Sequence, residues 1–279
     1  MTTVAGITFM KKLNLEGEKP ISYLIHSSVH KNNIYDIEQE AGFAFIGISW
    51  VLDQSYFLNM KGSNKCILCL DDSRQIEKAT KHSIPHFVCP SAVFCSLNEF
   101  KYEPKLKRFD AVLNCRNSLW KRRHFAANIK DLAIIYYPSP RSSEPDDLKF
   151  DAAYNANLVD GKYRKLKPNE VNSVLNQCSV GLILSSKEGS PRAVVEYLLC
   201  GLPVVSTKAN CGRWEFLNQT NCIIVGDSVE EVNTGVKIAL EYLENGIFVP
   251  EKIALDARNK IDTFRKAAES IAGVKLLWD

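Results

Sequence analysis

Short apolar runs alternate with longer amphipathic stretches along the chain from residue 109 onward. The short runs favour buried strands, whereas the longer stretches repeat apolar residues every three or four positions, as helices do. This alternation predicts a doubly wound parallel α/β sheet. The predicted strands are 111–115, 132–137, 152–155, 180–185, 203–206 and 222–225, and the predicted helices are 122–130, 168–177, 191–199, 213–217, 229–244 and 251–272.

The part of the chain before residue 109 carries the same kind of pattern over a shorter length. Because 279 residues exceed one average domain, we expect two lobes, 1–108 and 109–279. The predicted strands of the first lobe are 21–25, 44–50, 65–70 and 86–89, and its predicted helices are 36–40 and 72–82.

Two carboxylates lie eight positions apart around the start of the helix predicted at 191–199. Ser190 suits the N-cap and Pro191 the first helical position, so Glu188 precedes the helix and Glu196 lies inside it. The free N–H groups of the first turn attract phosphate. Each carboxylate would accept hydrogen bonds from hydroxyl groups on one side of that phosphate. The alternative is a solvated Glu188 and a surface ion pair between Glu196 and Arg192.

The surrounding sequence, Ser185-Ser-Lys-Glu-Gly-Ser-Pro-Arg-Ala-Val-Val-Glu-Tyr-Leu-Leu-Cys-Gly-Leu-Pro-Val-Val, resembles the EGxP...E...CGxPVV signature of retaining GT-B glycosyltransferases. The likeness extends through 211–215 to 221–225, where Cys211 and Cys222 depart from the usual glycines. It implies an α/β, GT-B-like fold of two Rossmann-like lobes. The first lobe would be a reduced acceptor lobe, and the last helix would return from the nucleotide-sugar lobe to pack on it.

A second match lies after the strand predicted at 111–115, where Arg116 and Lys121 stand five positions apart. The family places an Arg and a Lys at this offset, and the resemblance implies that they neutralise the departing diphosphate as fixed cations. Taken alone, the two residues would equally suit an ordinary basic surface.

The resemblance assigns Glu188 to the transferred sugar and Glu196 to the ribose. Tyr163 would stack on the nucleobase near 161–166, and a histidine of the first lobe commonly lines the site, although no motif distinguishes the candidates. The other donor-binding residues would be Gly189, Ser190, Pro191, Arg192 and Ala193, and the candidate histidines are His26, His30, His82 and His86.

The resemblance also implies the reaction. We expect transfer of a sugar, with retention, from a nucleoside diphosphate sugar to a glycan or lipid-linked acceptor in polysaccharide biosynthesis. No cofactor or metal is expected, because the family needs none and the chain lacks a clustered D-x-D. The alternative is a nucleotide-sugar-binding subunit without turnover of its own, which a partner chain would complete.

Composition bears on the compartment and the partners. Nine cysteines, an odd number, favour free thiols, and the closest pair, Cys66 and Cys69, falls in a predicted buried strand. We expect a cytoplasmic protein without a membrane span or secretory signal. Nucleic acid is not an expected partner, because the resemblance already gives the basic segment 101–130, with its nine Lys or Arg residues, a role at the diphosphate.

The net charge is only +3, so this basic cluster is local. Four basic residues exceed what a diphosphate needs, and we expect them to draw the protein to an anionic membrane surface or a polyanionic acceptor. A solvated helix face is the alternative. The four basic residues are Lys105, Lys107, Arg122 and Arg123.

Overall fold

The computed structural model describes most of the chain from residue 66 onward and several strands before it. The described residues are 2–4, 7–9, 11–12, 21–26, 43–48, 66–70, 73–116, 118–137, 153–160, 162–186, 188, 191–208, 215–273, 275–276 and 278. The predicted helix 36–40 lies outside them, as do His30, Gly189, Ser190 and Cys211.

Five strands of the first part of the chain form one sheet, in chain order. The first pair is antiparallel and the others are parallel. All four predicted strands are present. After the hairpin of β1 (Thr2–Val4) and β2 (Ile7–Phe9), the sheet contains β3 (Lys11–Lys12), β4 (Ile21–His26), β5 (Phe43–Ile48), β6 (Cys66–Leu70) and β7 (His86–Val88), with helix α1 (Ser73–Lys81) between the last two.

Six strands of the second part form an all-parallel sheet in the order β10-β9-β8-β13-β14-β15. All six predicted strands are present, and the order reverses beside β8, which creates a switch point of the kind that binds ligands. The strands are β8 (Phe109–Arg116), β9 (Leu132–Tyr137), β10 (Tyr154–Asn155), β13 (Cys178–Ile183), β14 (Val204–Thr207) and β15 (Cys222–Val225), and β11 (Leu158–Val159) and β12 (Lys162–Tyr163) form a separate hairpin.

Four helices accompany the second sheet close to their predicted positions. They are α2 (Pro168–Leu175), α3 (Arg192–Leu199), α4 (Val229–Glu244) and α5 (Pro250–Ala272). The prediction of Pro191 as the first helical residue is wrong: Pro191 is the N-cap, because its ψ of 112° is extended. Gly201 follows the helix with a φ of +76°, as a helix-ending glycine does.

The helix predicted at 122–130 is also wrong. Two short 3₁₀ turns, Leu119–Lys121 and Arg123–Ala126, take its place. Arg122 separates them with a left-handed backbone, φ 46° and ψ 41°, which a continuous helix does not tolerate. In the segment predicted as helix 213–217, the described residues from 215 on form a turn.

The segment between the sheets is attached to helices of the second part. Arg258 of α5 donates to the carbonyl of Leu97 at 3.0 Å, and Arg265 donates to the carbonyls of Val93 and Cys95. The Asn172 side chain of α2 accepts the backbone N–H of Lys101 at 3.0 Å, and Asn176 accepts that of Glu103 at 2.7 Å. The division of the chain at residue 108 stays a prediction.

Candidate functional site

The predicted site residues gather at the carboxyl edge of the second sheet. Arg116 ends β8, Glu188 follows β13, and Arg192 begins α3. Arg116 and Tyr137 are register partners at the ends of adjacent strands. Ligands of open parallel sheets bind at this edge, so the topology alone places the cationic and carboxylate candidates on one side of the sheet.

Lys121 and Glu188 form an ion pair in which the ammonium contacts the carboxylate directly. The Ser185 hydroxyl donates to the same carboxylate oxygen. The two paired side chains are only 16% and 11% exposed, so Glu188 is not the solvated loop acid of the alternative interpretation. Lys121 and Glu188 are 67 positions apart in the sequence, and the fold brings their opposite charges into contact. Lys121 and Ser185 together hold the Glu188 carboxylate in place.

Glu196 has a different environment. Its Oε2 accepts a hydrogen bond from Nδ2 of Asn114 at 2.9 Å. Burial raises the pKa of the Glu196 carboxyl, and the nearby Arg192 charge and the Asn114 hydrogen bond offset part of that rise. The direct partner is therefore the amide of β8, and the Arg192 side chain is exposed.

The next residue of α3, Tyr197, fixes the helix to the sheet. Its hydroxyl accepts the backbone N–H of Asn114 at 2.7 Å, and its side chain is fully buried. The ring fills the space above Gly181, where an added Cβ would lie 2.3 Å from the ring. Gly181 is thus required for close packing of α3 on β13.

Arg116 is exposed at the end of β8 and forms no ion pair with a described residue. It is therefore the accessible member of the predicted cationic pair. Lys121 is half-buried against Glu188. The structure brings both cations to the same edge but gives only Lys121 a carboxylate partner.

Tyr163 lies in the β11–β12 hairpin and is 39% exposed. Its ring centroid is 5.3 Å from that of Tyr136, the neighbour of Tyr137 on β9. Burial, with the nearby Glu196 charge as the next cause, raises the pKa of Tyr137 to about 12. Tyr163 is thus packed near Tyr136, and of these tyrosines it is Tyr137 whose pKa is raised by burial and by the Glu196 charge.

The four basic residues are engaged within the protein. Arg122 donates to the Leu184 carbonyl at 2.6 Å and to Thr207 at 2.7 Å, and it pairs with Asp227 at 2.7 Å. Arg123 is only 4% exposed. Both the membrane-facing role and the solvated helix face are therefore wrong for these two arginines.

The two lysines of the set also have partners. Lys105 pairs with Glu103 at 2.7 Å, and the Lys107 ammonium donates to the Asn176 carbonyl at 3.0 Å. Burial of that ammonium lowers the pKa of Lys107. The two arginines of the set are thus turned inward, whereas the two lysines are exposed residues with partners nearby.

Among the candidate histidines, the side chains of His82 and His86 are described. His86 begins β7, at the amino end of the strand, and its Nδ1 is 2.9 Å from the Ile84 carbonyl. His82 follows α1. His26 ends β4 at the carboxyl edge. Of the three, His26 is the one that ends a strand, at the edge where ligands of parallel sheets bind.

Sequence reasoning missed Asn114 and Ser185, which hold the two carboxylates. Asn114 is polar inside an otherwise apolar run and Ser185 directly follows one, and both are buried, at 5% and 3% exposure. That is the signal that would have identified them, because a buried polar side chain requires a hydrogen-bonding partner.

The described residues contain no group of three or more His, Cys, Asp or Glu side chains arranged to hold a metal ion. A membrane-crossing helix, long and apolar enough to span a bilayer, is likewise not found among them.

Comparison with known proteins connects this geometry to a family. Residues 162–258 match the family model described as Glycosyl transferases group 1. The matched range contains Glu188, Glu196 and all of α3, whereas Arg116 and Lys121 precede it. No curated protein matches the sequence.

Several solved structures are similar at low sequence identity. Sucrose-phosphate synthase from Thermosynechococcus elongatus is 10% identical with a TM-score of 0.59, over 91% of this chain and 72% of that one. HepE from Anabaena, in complex with UDP and glucose, is 12% identical with a TM-score of 0.61, over 90% and 78%. The pneumococcal O-GlcNAc transferase GtfA, in complex with UDP and GlcNAc, is 13% identical with a TM-score of 0.58, over 90% and 57%.

These similarities establish the fold, which is α/β and GT-B-like as the sequence predicted. This chain spans 54% of the solved structure of TarM and 57% of that of GtfA. Its length is consistent with a reduced lobe.

Proposed function

We propose that the protein is a glycosyltransferase that transfers a sugar, with retention, from a nucleoside diphosphate sugar to a glycan or lipid-linked acceptor. The observation that carries the proposal is the ion pair of Lys121 with Glu188 at the carboxyl edge of the second sheet, shortly before the start of α3, the helix that contains Glu196. The family match over 162–258 includes both carboxylates.

In this proposal, the diphosphate lies against the N-terminus of α3 with Arg116 and Lys121 beside it. The backbone N–H groups of Arg192 and Ala193 point out of a helix that begins at Arg192, so they are available to an anion. Negative charge grows on the diphosphate as the glycosidic bond breaks. Fixed cations stabilise that charge more in the transition state than in the ground state.

Glu188 would accept hydrogen bonds from the transferred sugar, and Glu196 would accept them from the ribose. Anchoring by Lys121 and Ser185 gives Glu188 a fixed direction, which is what recognition of a sugar hydroxyl requires. With retention, the leaving phosphate takes the proton of the acceptor hydroxyl. No protein nucleophile and no metal is assigned to the reaction.

UDP is the first nucleotide to test as the carrier of the donor sugar, because the similar structures of HepE and GtfA contain UDP. A thermal-stability screen with UDP, GDP, ADP and TDP sugars identifies the donor. A ligand present at 100 times its dissociation constant adds about 2.7 kcal/mol of stability. Release of free sugar or transfer to an acceptor then tests the reaction, and stabilisation by none of the four would contradict the proposal.

A nucleotide-sugar-binding subunit without turnover is the second candidate. It follows if the first lobe is reduced as the sequence predicts, because such a lobe leaves less surface for an acceptor. The two candidates differ in one measurement. Purified protein that binds a donor sugar but hydrolyses or transfers it only after a partner chain is added would be the subunit.

The proposed location is cytoplasmic, at the inner face of a membrane if the acceptor is lipid-linked. Of the four basic residues, Arg122 and Arg123 no longer support membrane contact, because they are turned into the protein, whereas Lys105 and Lys107 are exposed. Co-sedimentation with vesicles of anionic lipid separates a soluble acceptor from a membrane-borne one. Salt-sensitive binding to those vesicles would favour the second.

A further inference from the structure

Asn114 is a buried amide in a strand whose neighbouring positions are apolar. It is 5% exposed, and the residues before it in β8, Val112 and Leu113, are 0% and 1% exposed. An amide in such a place costs free energy unless hydrogen bonds compensate it. The bonds that Asn114 makes therefore indicate what it does.

Both hydrogen bonds of Asn114 to α3 end on consecutive residues of that helix. The backbone N–H donates to the Tyr197 hydroxyl at 2.7 Å, and Nδ2 donates to Oε2 of Glu196 at 2.9 Å. The remaining polar atom of the side chain, Oδ1, has no hydrogen-bond partner among the described residues. One residue of β8 thus fixes both the rotation of the helix and the direction of a carboxylate.

The orientation of the amide follows from charge. An amide oxygen facing Glu196 would repel a carboxylate, whereas the N–H attracts it. With Oε2 taken by Asn114, the other carboxylate oxygen is left for a ligand. The amide therefore favours the ionised form of Glu196, which is the form that accepts hydrogen bonds from hydroxyl groups on both oxygens.

We propose that Asn114 is a positioning residue of the nucleotide site: its amide holds one carboxylate oxygen of Glu196 and directs the other oxygen toward the ribose. This inference rests on the proposed function. Asn114 acts through Glu196 and does not itself contact the nucleotide.

The other groups around Glu196 do not hold its carboxylate in one direction. The Arg192 charge lowers the pKa of Glu196 more than the Asn114 hydrogen bond does, but the Arg192 side chain comes from the same helix and is exposed to solvent. Tyr137 from β9, together with Tyr197 and Cys200 from α3, stays neutral near pH 7, because burial raises the pKa of each. Asn114 is thus the buried donor that meets the carboxylate.

The test measures affinity for the tightest binder among UDP, GDP, ADP and TDP, from about pH 5.5 to 8.5, in wild type, N114L, E196Q and the double variant. Leucine matches asparagine in size but offers no N–H. We expect N114L to weaken binding about tenfold at neutral pH, as loss of a hydrogen bond to a charged group predicts. Its affinity should also fall at a higher pH than that of wild type, because loss of the donor makes Glu196 easier to protonate.

Three comparisons distinguish positioning from a general effect on the fold. In the E196Q background, N114L should cause little further loss, since its effect passes through the carboxylate. Binding of inorganic pyrophosphate, which has no ribose, should be unchanged in N114L. Asn221, equally buried and bonded to the Phe216 carbonyl at the start of β15, provides the matched control N221L, which should not shift the pH profile.

N114D is the second variant if N114L does not fold. It puts a second carboxyl beside Glu196, and two carboxyls at hydrogen-bond distance share a proton, so nucleotide affinity should fall and recover only at high pH. Loss of affinity in N114L or N114D with the wild-type pH profile, or the same loss for pyrophosphate, would overturn the inference. Unchanged affinity in E196Q would instead refute the proposed role of Glu196.

Discussion

Glu188 and Glu196 lie eight positions apart at one edge of one sheet, yet their surroundings differ. Glu188 meets a cation and a hydroxyl, Lys121 and Ser185. Glu196 meets a neutral amide, and burial raises its pKa. A cation compensates the charge of the first carboxylate, whereas the second is ionised at a cost in free energy.

In the proposed function, this difference would let one motif serve two kinds of contact. A carboxylate held by a lysine is charged and rigid without a ligand. A carboxylate held by an amide is under-compensated, so a ligand that donates hydrogen bonds improves its environment. The Glu188 side thus suits positioning of the reacting sugar, and the Glu196 side suits nucleotide affinity.

The largest expected effect is on turnover in K121A. Removing a fixed cation from the developing charge on the diphosphate should lower kcat about 100- to 1,000-fold, with a smaller change in donor KM. We expect kcat to fall in R116A as well. The matched control is K130A, because Lys130 is exposed and lies outside the site.

The double variant K121A/E188Q sharpens this prediction. If the loss in K121A came only from leaving Glu188 unpaired, neutralising Glu188 would restore kcat. We expect no restoration. A rise in KM with kcat intact in K121A would make Lys121 an ordinary ground-state binder.

The next effect is on nucleotide affinity in E196A. Loss of a charge-assisted hydrogen bond should weaken binding of the free nucleoside diphosphate by about 1.5–3 kcal/mol, which calorimetric titration measures. E244A provides a control, because Glu244 is an exposed acid at the end of α4. A folded E196A with unchanged affinity would return Glu196 to a structural role.

The third effect tests the packing that supports Glu196. In G181A, the new Cβ would lie 2.3 Å from the Tyr197 ring, so α3 must shift. We expect a loss of about 1–3 kcal/mol in the free energy of unfolding, measured with urea. Nucleotide affinity should fall as well, because Tyr197 and Glu196 share the partner Asn114. S179A, on the same strand, should leave both unchanged.

The strands and most helices could be predicted because apolar periodicity is local. The break at Arg122 could not, since its left-handed backbone coexists with side-chain contacts to Leu184, Thr207 and Asp227, all more than 60 residues away. The charge count likewise suggested a basic surface, whereas these long-range contacts turn the arginine inward. Spacing selected Glu188 and Glu196 as candidates but not their partners Asn114 and Ser185. Asn114 comes from a distant strand, and Ser185 follows an apolar run three residues before Glu188, and neither position leaves a periodic signal.

The smallest expected effect concerns stability without ligand in E196Q. The raised pKa means that folded Glu196 holds its proton more tightly than the unfolded chain does. Protonation of Glu196 therefore contributes fully to the free energy of unfolding below the pKa that Glu196 has in the unfolded chain. This contribution is lost as the pH rises through the pKa that Glu196 has in the folded protein. We expect E196Q to be more stable than wild type at about pH 8, and the gap to close at about pH 4. Urea unfolding at both pH values measures it, with E244Q as the exposed control. A gap that widens toward low pH would mean that the folded protein favours the ionised form, and the contrast between the two carboxylates would be lost.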